Sequence, residues 1–248
     1  MDWSFQLYSA RNFLPWHDVL ETLSALGYTQ VEGFGGIYDH AAGFRSELDR
    51  YGLTMPSGHF SIEALERDFD AVRRIADTLG IQLIVCPWLE AADRPADAAG
   101  WQALGARLDR IGEKAKAAGL GFAWHNHDFE FQALADGSLP IVHILEAAPS
   151  IGWEADIAWI IRGGSDPDAW IERFGPRLVA CHVKDIAPVG AALDEDGWAD
   201  VGYGTVDWPH LIRLLRRKSA VRYFVMEHDN PGDLERFARR SIETVKSL

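Results

Sequence analysis

Eight short apolar runs recur along the chain, each followed by a loop and, in most cases, a helical pattern. They fall at residues 4–8, 30–34, 53–57, 82–86, 121–124, 151–155, 178–183 and 222–226. Alternating strands and helices favour a parallel sheet, because parallel neighbours need a crossover long enough to hold a helix. Eight units favour closure into a (β/α)8 barrel over an open doubly wound sheet, and 248 residues match the ~250 typical of one barrel. No Pro-, Ser- or Gly-rich linker and no charge block divides the chain, so residues 1–248 are expected to form one α/β domain.

The intervening patterns are amphipathic. Val19, Leu20, Leu23 and Leu26 make an apolar face closed by Gly27. Leu65, Phe69, Val72, Ile75 and Leu79 make a second closed by Gly80, and Leu104, Leu108, Ile111 and Ala115 a third closed by Gly119. A stripe of this spacing that ends at Gly marks a helix and its stop. Asp166-Pro167 and Asp207-Trp208-Pro209 mark helix starts, and the last helix is expected from about Asp233 onward. Neither GxGxxG nor GxxxxGK[ST] occurs, which weakens the nucleotide-binding α/β alternatives. Residues 186–206, rich in Gly and Asp, read either as a lid or as an ordinary surface loop.

The strand ends carry the chemistry. Trp124 runs into His125-Asn126-His127, Trp153 into Glu154-Ala155-Asp156, Cys181 into His182-Val183-Lys184-Asp185, and Met226 into Glu227-His228-Asp229. In a barrel these carboxyl ends lie side by side on the face that builds active sites. Residues two apart share a strand face, which places His127 with His125 and Glu154 with Asp156. His125, Asp156, His182 and Glu227 are therefore candidate ligands for one divalent ion. Two imidazoles and two carboxylates suit manganese, cobalt, iron(II) or zinc without choosing among them. Each residue alone has a plainer reading: a hydrogen-bonded strand-end His, a helix-capping Asp or a salt-bridging Glu.

His127, Glu130 and Glu154 are the candidate acids and bases. His59, Trp88, Trp159 and Lys184 are candidate substrate-binding residues, and Glu32 ends the second strand on the same face. Trp88, Trp124 and Trp159 either stack on a sugar ring or pack in the core. Lys184 either neutralises an oxyanion or pairs with a rim carboxylate.

Thirty-seven acidic against 24 basic residues leave a formal charge of −13, which argues against a nucleic-acid or anionic-membrane partner. No apolar run approaches the ~20 residues of a membrane span. The stretch from Met1 to Leu7 has neither the basic nor the long apolar part of a signal peptide. The expected setting is the cytoplasm and the expected partner a small carbohydrate, with homo-oligomerisation left open. Cys86 and Cys181 read as small buried apolar residues, not a disulfide.

A family likeness runs through the motifs in order. They begin with Phe5-Gln6-Leu7-Tyr8-Ser9-Ala10-Arg11, Gly27-Tyr28-Thr29-Gln30-Val31-Glu32 and Trp124-His125-Asn126-His127-Asp128-Phe129-Glu130-Phe131. Glu154-Ala155-Asp156-Ile157-Ala158-Trp159 follows, with Gly164-Ser165-Asp166-Pro167 and His182-Val183-Lys184-Asp185. Val201-Gly202-Tyr203-Gly204-Thr205-Val206-Asp207-Trp208 and Glu227-His228-Asp229 complete the set. Over nearly the whole chain these resemble the sugar phosphate isomerase/epimerase family with its xylose isomerase-like TIM barrel.

The resemblance implies a divalent metal at the barrel mouth, commonly Mn2+, held by Glu, Asp, His and Glu. The last three map onto Asp156, His182 and Glu227, while the first falls at His125, where this chain departs. The Arg that the family's ketose epimerases carry after the seventh strand has no evident counterpart in 186–202. The implied activity is a metal-dependent isomerase or epimerase acting beside a carbonyl of a sugar, keto-sugar or inosose through an enolate. The alternative is a lyase on the same enolate, an inosose dehydratase or keto-glycoside eliminase. A DNA-repair endonuclease of the same superfamily would need a basic surface that the −13 charge denies. A barrel that binds metal or sugar without catalysis is a third class.

Overall fold

The computed structural model describes residues 2–248. Each apolar run forms a strand: β1 Trp3–Gln6, β2 Gln30–Gly33, β3 Thr54–His59, β4 Leu83–Cys86, β5 Gly121–His125, β6 Gly152–Asp156 and β7 Leu178–Val183. Two short strands follow, β8 Asp185–Ile186 and β9 Trp198–Ala199, before β10 Tyr223–Met226. The barrel closes in the order β1-β10-β7-β6-β5-β4-β3-β2, every pair parallel. β8 and β9 form a separate antiparallel ribbon.

The crossovers hold α1 Trp16–Leu26, α2 Ala41–Arg50, α3 Ile62–Arg67, α4 Phe69–Leu79 and α5 Ala98–Ala117. α6 Pro140–Ala147, α7 Ile157–Arg162, α8 Pro167–Phe174, α9 Trp208–Lys218 and α10 Leu234–Lys246 follow. Asp166, Asp207 and Asp233 cap α8, α9 and α10 by accepting from backbone N–H groups of the first turn. Gly27 and Gly80 end α1 and α4 in the left-handed region, at φ +87° and +82°.

The single helix expected across 65–79 is instead two, α3 and α4. Asp68 sits between them with φ −150° and accepts from Ala71 N–H, starting α4 instead of continuing α3. A short acid that bonds its own neighbouring backbone favours a cap over a helix interior. The first strand stops at Gln6, because the Gln6 side chain accepts from Tyr8 N–H and turns the chain into a tight helical turn at Leu7–Ala10. The third strand runs on to His59, which therefore belongs to the strand end.

Alternation along the strands sets the layers of the interior. Leu83, Val85, Ala123 and Ala180 form a buried apolar plug within the barrel. Toward the carboxyl ends the inward positions turn polar: Gln6, Glu32, Ser57, His125, Glu154 and His182 are all buried. The main core lies between strands and helices, where Phe5, Val31, Ile84, Trp124, Trp153 and Phe224 meet Leu20, Leu108, Ile144, Ile212 and Phe237. Both cysteines are free and buried. Among the described residues no helix is long and apolar enough to cross a membrane.

Residues 186–206 are strapped down. The Asp185 carboxylate accepts four backbone N–H bonds, from Ile186 (2.8 Å), Val206 (3.0 Å), Gly202 (2.9 Å) and Gly204 (3.2 Å). Gly202 has φ +87°. A Cβ on Gly204 would lie 2.2 Å from Asp185 Oδ1. Both positions therefore require glycine. Farther along, Arg236 bridges Glu195 at 2.8 Å and Asp200 at 3.0 Å. Arg162 donates to Asp196 O at 2.8 Å. These contacts oppose the lid reading. Asp185→Ala would remove the shared acceptor of four part-buried or exposed N–H groups, each net hydrogen bond contributing about 0.5–1.5 kcal/mol. The expected result is faster hydrogen exchange at Gly202, Gly204 and Val206 and a lower Tm, with β4 amides unaffected. Unchanged exchange at those three would remove Asp185 as the anchor.

Candidate active site and metal centre

β5, β6, β7 and β10 bring His125, Asp156, His182 and Glu227 together, with one donor atom of each within 4.8 Å of the others. Three of them are completely buried or nearly so, and Glu227 is 5% exposed. His182 Nδ1 lies 2.8 Å from Glu227 Oε2 and 4.0 Å from Asp156 Oδ2. Asp156 Oδ1 caps α7 by accepting from Trp159 N–H at 2.8 Å. Its other oxygen is buried without a hydrogen-bond partner. Asn126 holds the end of β6 in place: its Oδ1 accepts from Trp153 Nε1 (2.9 Å) and Asp156 N–H (3.1 Å).

A second, deeper set shares two of these residues. His59, His125, Glu154 and His182 also place donor atoms within 4.8 Å of one another. Three imidazoles converge on Glu154 Oε2, from His59 (2.8 Å), His125 (3.1 Å) and His182 (3.2 Å). Glu154 Oε1 is buried without a partner. Oxygens buried without a hydrogen bond amid imidazoles and carboxylates, one of them 3.5 Å from the Lys184 ammonium, fit a divalent cation of the manganese-to-zinc series.

The electrostatics follow from this crowding. Burial works against a charged His182, but Glu227 and Glu154 outweigh it and hold its pKa well above the ordinary imidazole value. Burial opposes a charged His59 too, yet Glu32 and Glu154 hold it at about 9. Burial, reinforced by the charge on His182, pushes His125 down to about 4. Burial and His125 likewise hold His127 well below its ordinary value, leaving both rings uncharged at neutral pH. Burial would raise Glu154 and Glu227, but the neighbouring His182 and, for Glu227, Lys184 hold them well below the usual carboxylate range. Burial pushes Asp156 up to about 6 against the pull of Lys184.

Above this floor opens a cavity of about 1030 Å³, lined by His59, His125, His127, Trp88, Trp159 and Glu227 among others. His127 presents a buried Nδ1 with no hydrogen-bond partner, and its ring lies 4.7 Å from that of Trp88 and 5.4 Å from that of Trp159. Glu130 is set apart. Its oxygens accept from Trp124 Nε1 (3.0 Å) and His127 N–H (2.9 Å), and burial pushes it up to about 8. It thus braces the turn that carries His127. Trp124 is fully buried in the core and takes the packing alternative.

Lys184 is also fully buried, and its ammonium meets Asp229 (2.6 Å), Glu227 (3.1 Å) and Asp156 (3.5 Å). It lies 5.0 Å from the Trp159 ring centre and 4.3 Å from that of Trp198. Pairing with carboxylates is thus its observed state. Sequence reasoning placed Glu32 on this face without a role and overlooked Gln6, Ser57, Asn126 and Asp229. Polar residues at inward strand positions were the signal available for Gln6 and Ser57.

A sequence model of the xylose isomerase-like TIM barrel matches residues 20–248. The rhizopine catabolism protein MocC of Rhizobium meliloti is 25% identical over 252 residues, covering 86% of this chain and 74% of MocC. A sugar phosphate isomerase/epimerase from Parabacteroides distasonis superposes with a TM-score of 0.81 at 21% identity, over 100% of this chain and 94% of that one. The zinc-binding IolI protein superposes with a TM-score of 0.77 at 15% identity, over 100% and 96% of the two chains.

Proposed function

This chain belongs to the xylose isomerase-like TIM barrel family, and from that premise we propose that it is a divalent-metal-dependent isomerase or epimerase acting beside the carbonyl of a keto-sugar or inosose. The observation that carries the reading is the convergence of His125, Asp156, His182 and Glu227 beneath the cavity, whose lining includes His125, Glu227 and the neighbouring His127. These four residues would hold the ion, of which Mn2+ is the first candidate and Co2+, Fe2+ and Zn2+ the others. The zinc atom in IolI supports a divalent ion on this fold, and the isomerase/epimerase of like fold supports the reaction class. When bound, such an ion polarises a carbonyl oxygen and makes the neighbouring carbon more acidic.

The chain supplies the rest. His127, uncharged on the cavity wall, accepts the proton from that carbon. Glu154 is reached from the cavity through His59, 2.8 Å away, and this pair returns a proton to the other face or the adjacent carbon. Trp88 and Trp159 give flat walls for a sugar ring. The lining also carries Asp39, Glu90, Asp128, Asp196 and Asp229 against Arg11, Arg67 and Arg94. That acidic excess favours an unphosphorylated substrate. The test is turnover of keto-sugars and inososes in D2O with added Mn2+. Deuterium should enter the carbon beside the carbonyl, and no exchange with any of the four metals would reject the proposal.

One observation favours a lyase as the second reading. At about 1030 Å³ the cavity reaches the top of the ~300–1,000 Å³ range that holds drug-sized ligands. A sugar ring bearing a further group fills it better than a free monosaccharide does. His127 would take the proton beside the carbonyl, the resulting enolate would form the C=C bond as the C–O bond to that group breaks, and the His59–Glu154 pair would protonate the departing oxygen. Matched pairs of a free keto-sugar and its aryl glycoside separate the two: release of the phenol marks elimination.

A further inference from the structure

Glu32, at the end of β2, is fully buried inside the barrel and takes no part in the chemistry above. Its Oε1 accepts from Gln6 Nε2 at 2.8 Å and lies 2.8 Å from His182 Nε2. Its Oε2 accepts from the Ser57 hydroxyl. His59 Nε2 stands 3.1 Å from Oε1. An ionised carboxylate this deep is costly unless its lone pairs are taken, and here three strands supply the donors.

The far side of the His182 ring shows what the arrangement is for. Nδ1 of the same imidazole faces Glu227 Oε2 at 2.8 Å and Asp156 Oδ2 at 4.0 Å. The ring spans the gap between a carboxylate fixed inside the barrel and two nearer the cavity, of which Glu227 lines it. A carboxylate only accepts, so with no ion between them each ring nitrogen donates to the carboxylate it faces, Nε2 to Glu32 and Nδ1 to Glu227; a cation on the Glu227 side would displace the Nδ1 hydrogen and leave the one held by Glu32. The neutral ring then has its lone pair on Nδ1. Glu154 Oε2 is a competitor for the same Nε2, at 3.2 Å, but it is held more closely by His59 at 2.8 Å.

We propose that Glu32 is a positioning residue that holds His182 as the Nε2–H tautomer and so presents Nδ1 to a divalent ion shared with Asp156 and Glu227. This rests on the reading of those residues as the seat of the ion. Gln6 and Ser57 act as struts that fix the orientation of the Glu32 carboxylate, with Oε1 on His182. Partners that orient a metal-binding imidazole typically contribute ~10–100-fold to affinity.

Two measurements test it. In protein labelled with 15N-histidine and loaded with diamagnetic Zn2+, long-range 1H–15N spectra should show His182 protonated at Nε2 and metal-shifted at Nδ1. A proton at Nδ1 with zinc on Nε2 overturns the proposal, and this experiment needs no variant. In Glu32→Gln the Mn2+ dissociation constant, read from the EPR signal of free ion, should rise ~10–100-fold. A purely structural Glu32 would lower Tm and leave Mn2+ affinity unchanged, which also overturns the proposal. Failure of the unaltered protein to bind Mn2+ or Zn2+ would overturn the seat itself, whereas normal binding with an indifferent Glu32→Gln removes only the role of Glu32.

Discussion

Asp156→Asn and His182→Ala proteins are expected to leave purification without their divalent ion and to stay inactive when Mn2+ is added back. Asp156→Asn is the cleaner probe. Its side-chain oxygen can still accept from Trp159 N–H and cap α7, so the helix start survives while the charge and the carboxylate oxygen beside Lys184 are lost. His182→Ala removes a ring placed among Glu32, Glu154 and Glu227. Those carboxylates then face one another in the barrel interior. Removing one partner of a buried ion pair costs about 3–5 kcal/mol, so this variant should also melt earlier. Metal content by mass spectrometry and Mn2+ titration check both, and the loss should exceed the ~10–100-fold that follows from removing an orienting neighbour. Full metal occupancy in both proteins would reject the site. Loss in these two with retention in His125→Ala would make His125 an orienting neighbour.

His127→Asn should retain the ion and its fold yet lose ~10²–10⁴ of the turnover rate, the usual contribution of one well-placed acid or base. The ring lies on the cavity wall with an unpartnered Nδ1, held by Trp88, Phe129 and Trp159 and by the turn that Glu130 braces. Glu154→Gln should also slow turnover, because the amide cannot take a proton from His59. Deuterium exchange into substrate separates the two. His127→Asn should suppress exchange and turnover together, since no proton leaves carbon. Native rates in both variants would make these residues structural and the proposed proton path wrong.

Much of this was legible in the strands. Inward and outward faces repeat every second residue, so His125, Asp156, His182 and Glu227 declare themselves at the ends of apolar runs. The pairing of Glu32 with His182 does not, because the two lie 150 residues apart and meet only when the barrel closes. The same holds for Gln6, Glu32 and Ser57, whose contacts depend on the register of β1, β2 and β3. Local competition explains the split at Asp68, where one side-chain bond to Ala71 N–H overrides a continuous apolar stripe. Trp124 and Trp159 look alike in sequence, but the first lies outside the barrel wall in the core and the second beside the cavity. Glu130 follows the HNH stretch closely enough to look like a catalyst, and only the Trp124 indole and His127 N–H around it reveal a brace.

With Asp185, Glu195 and Asp200 fastening residues 186–206, the side of the cavity that Asp196 lines is held in a fixed outline. A segment pinned in this way is expected to supply no swinging flap of the kind whose microsecond-to-millisecond motion limits many enzymes. Under the proposed reaction, shielding from water would then fall to the bound substrate itself and not to a closing flap.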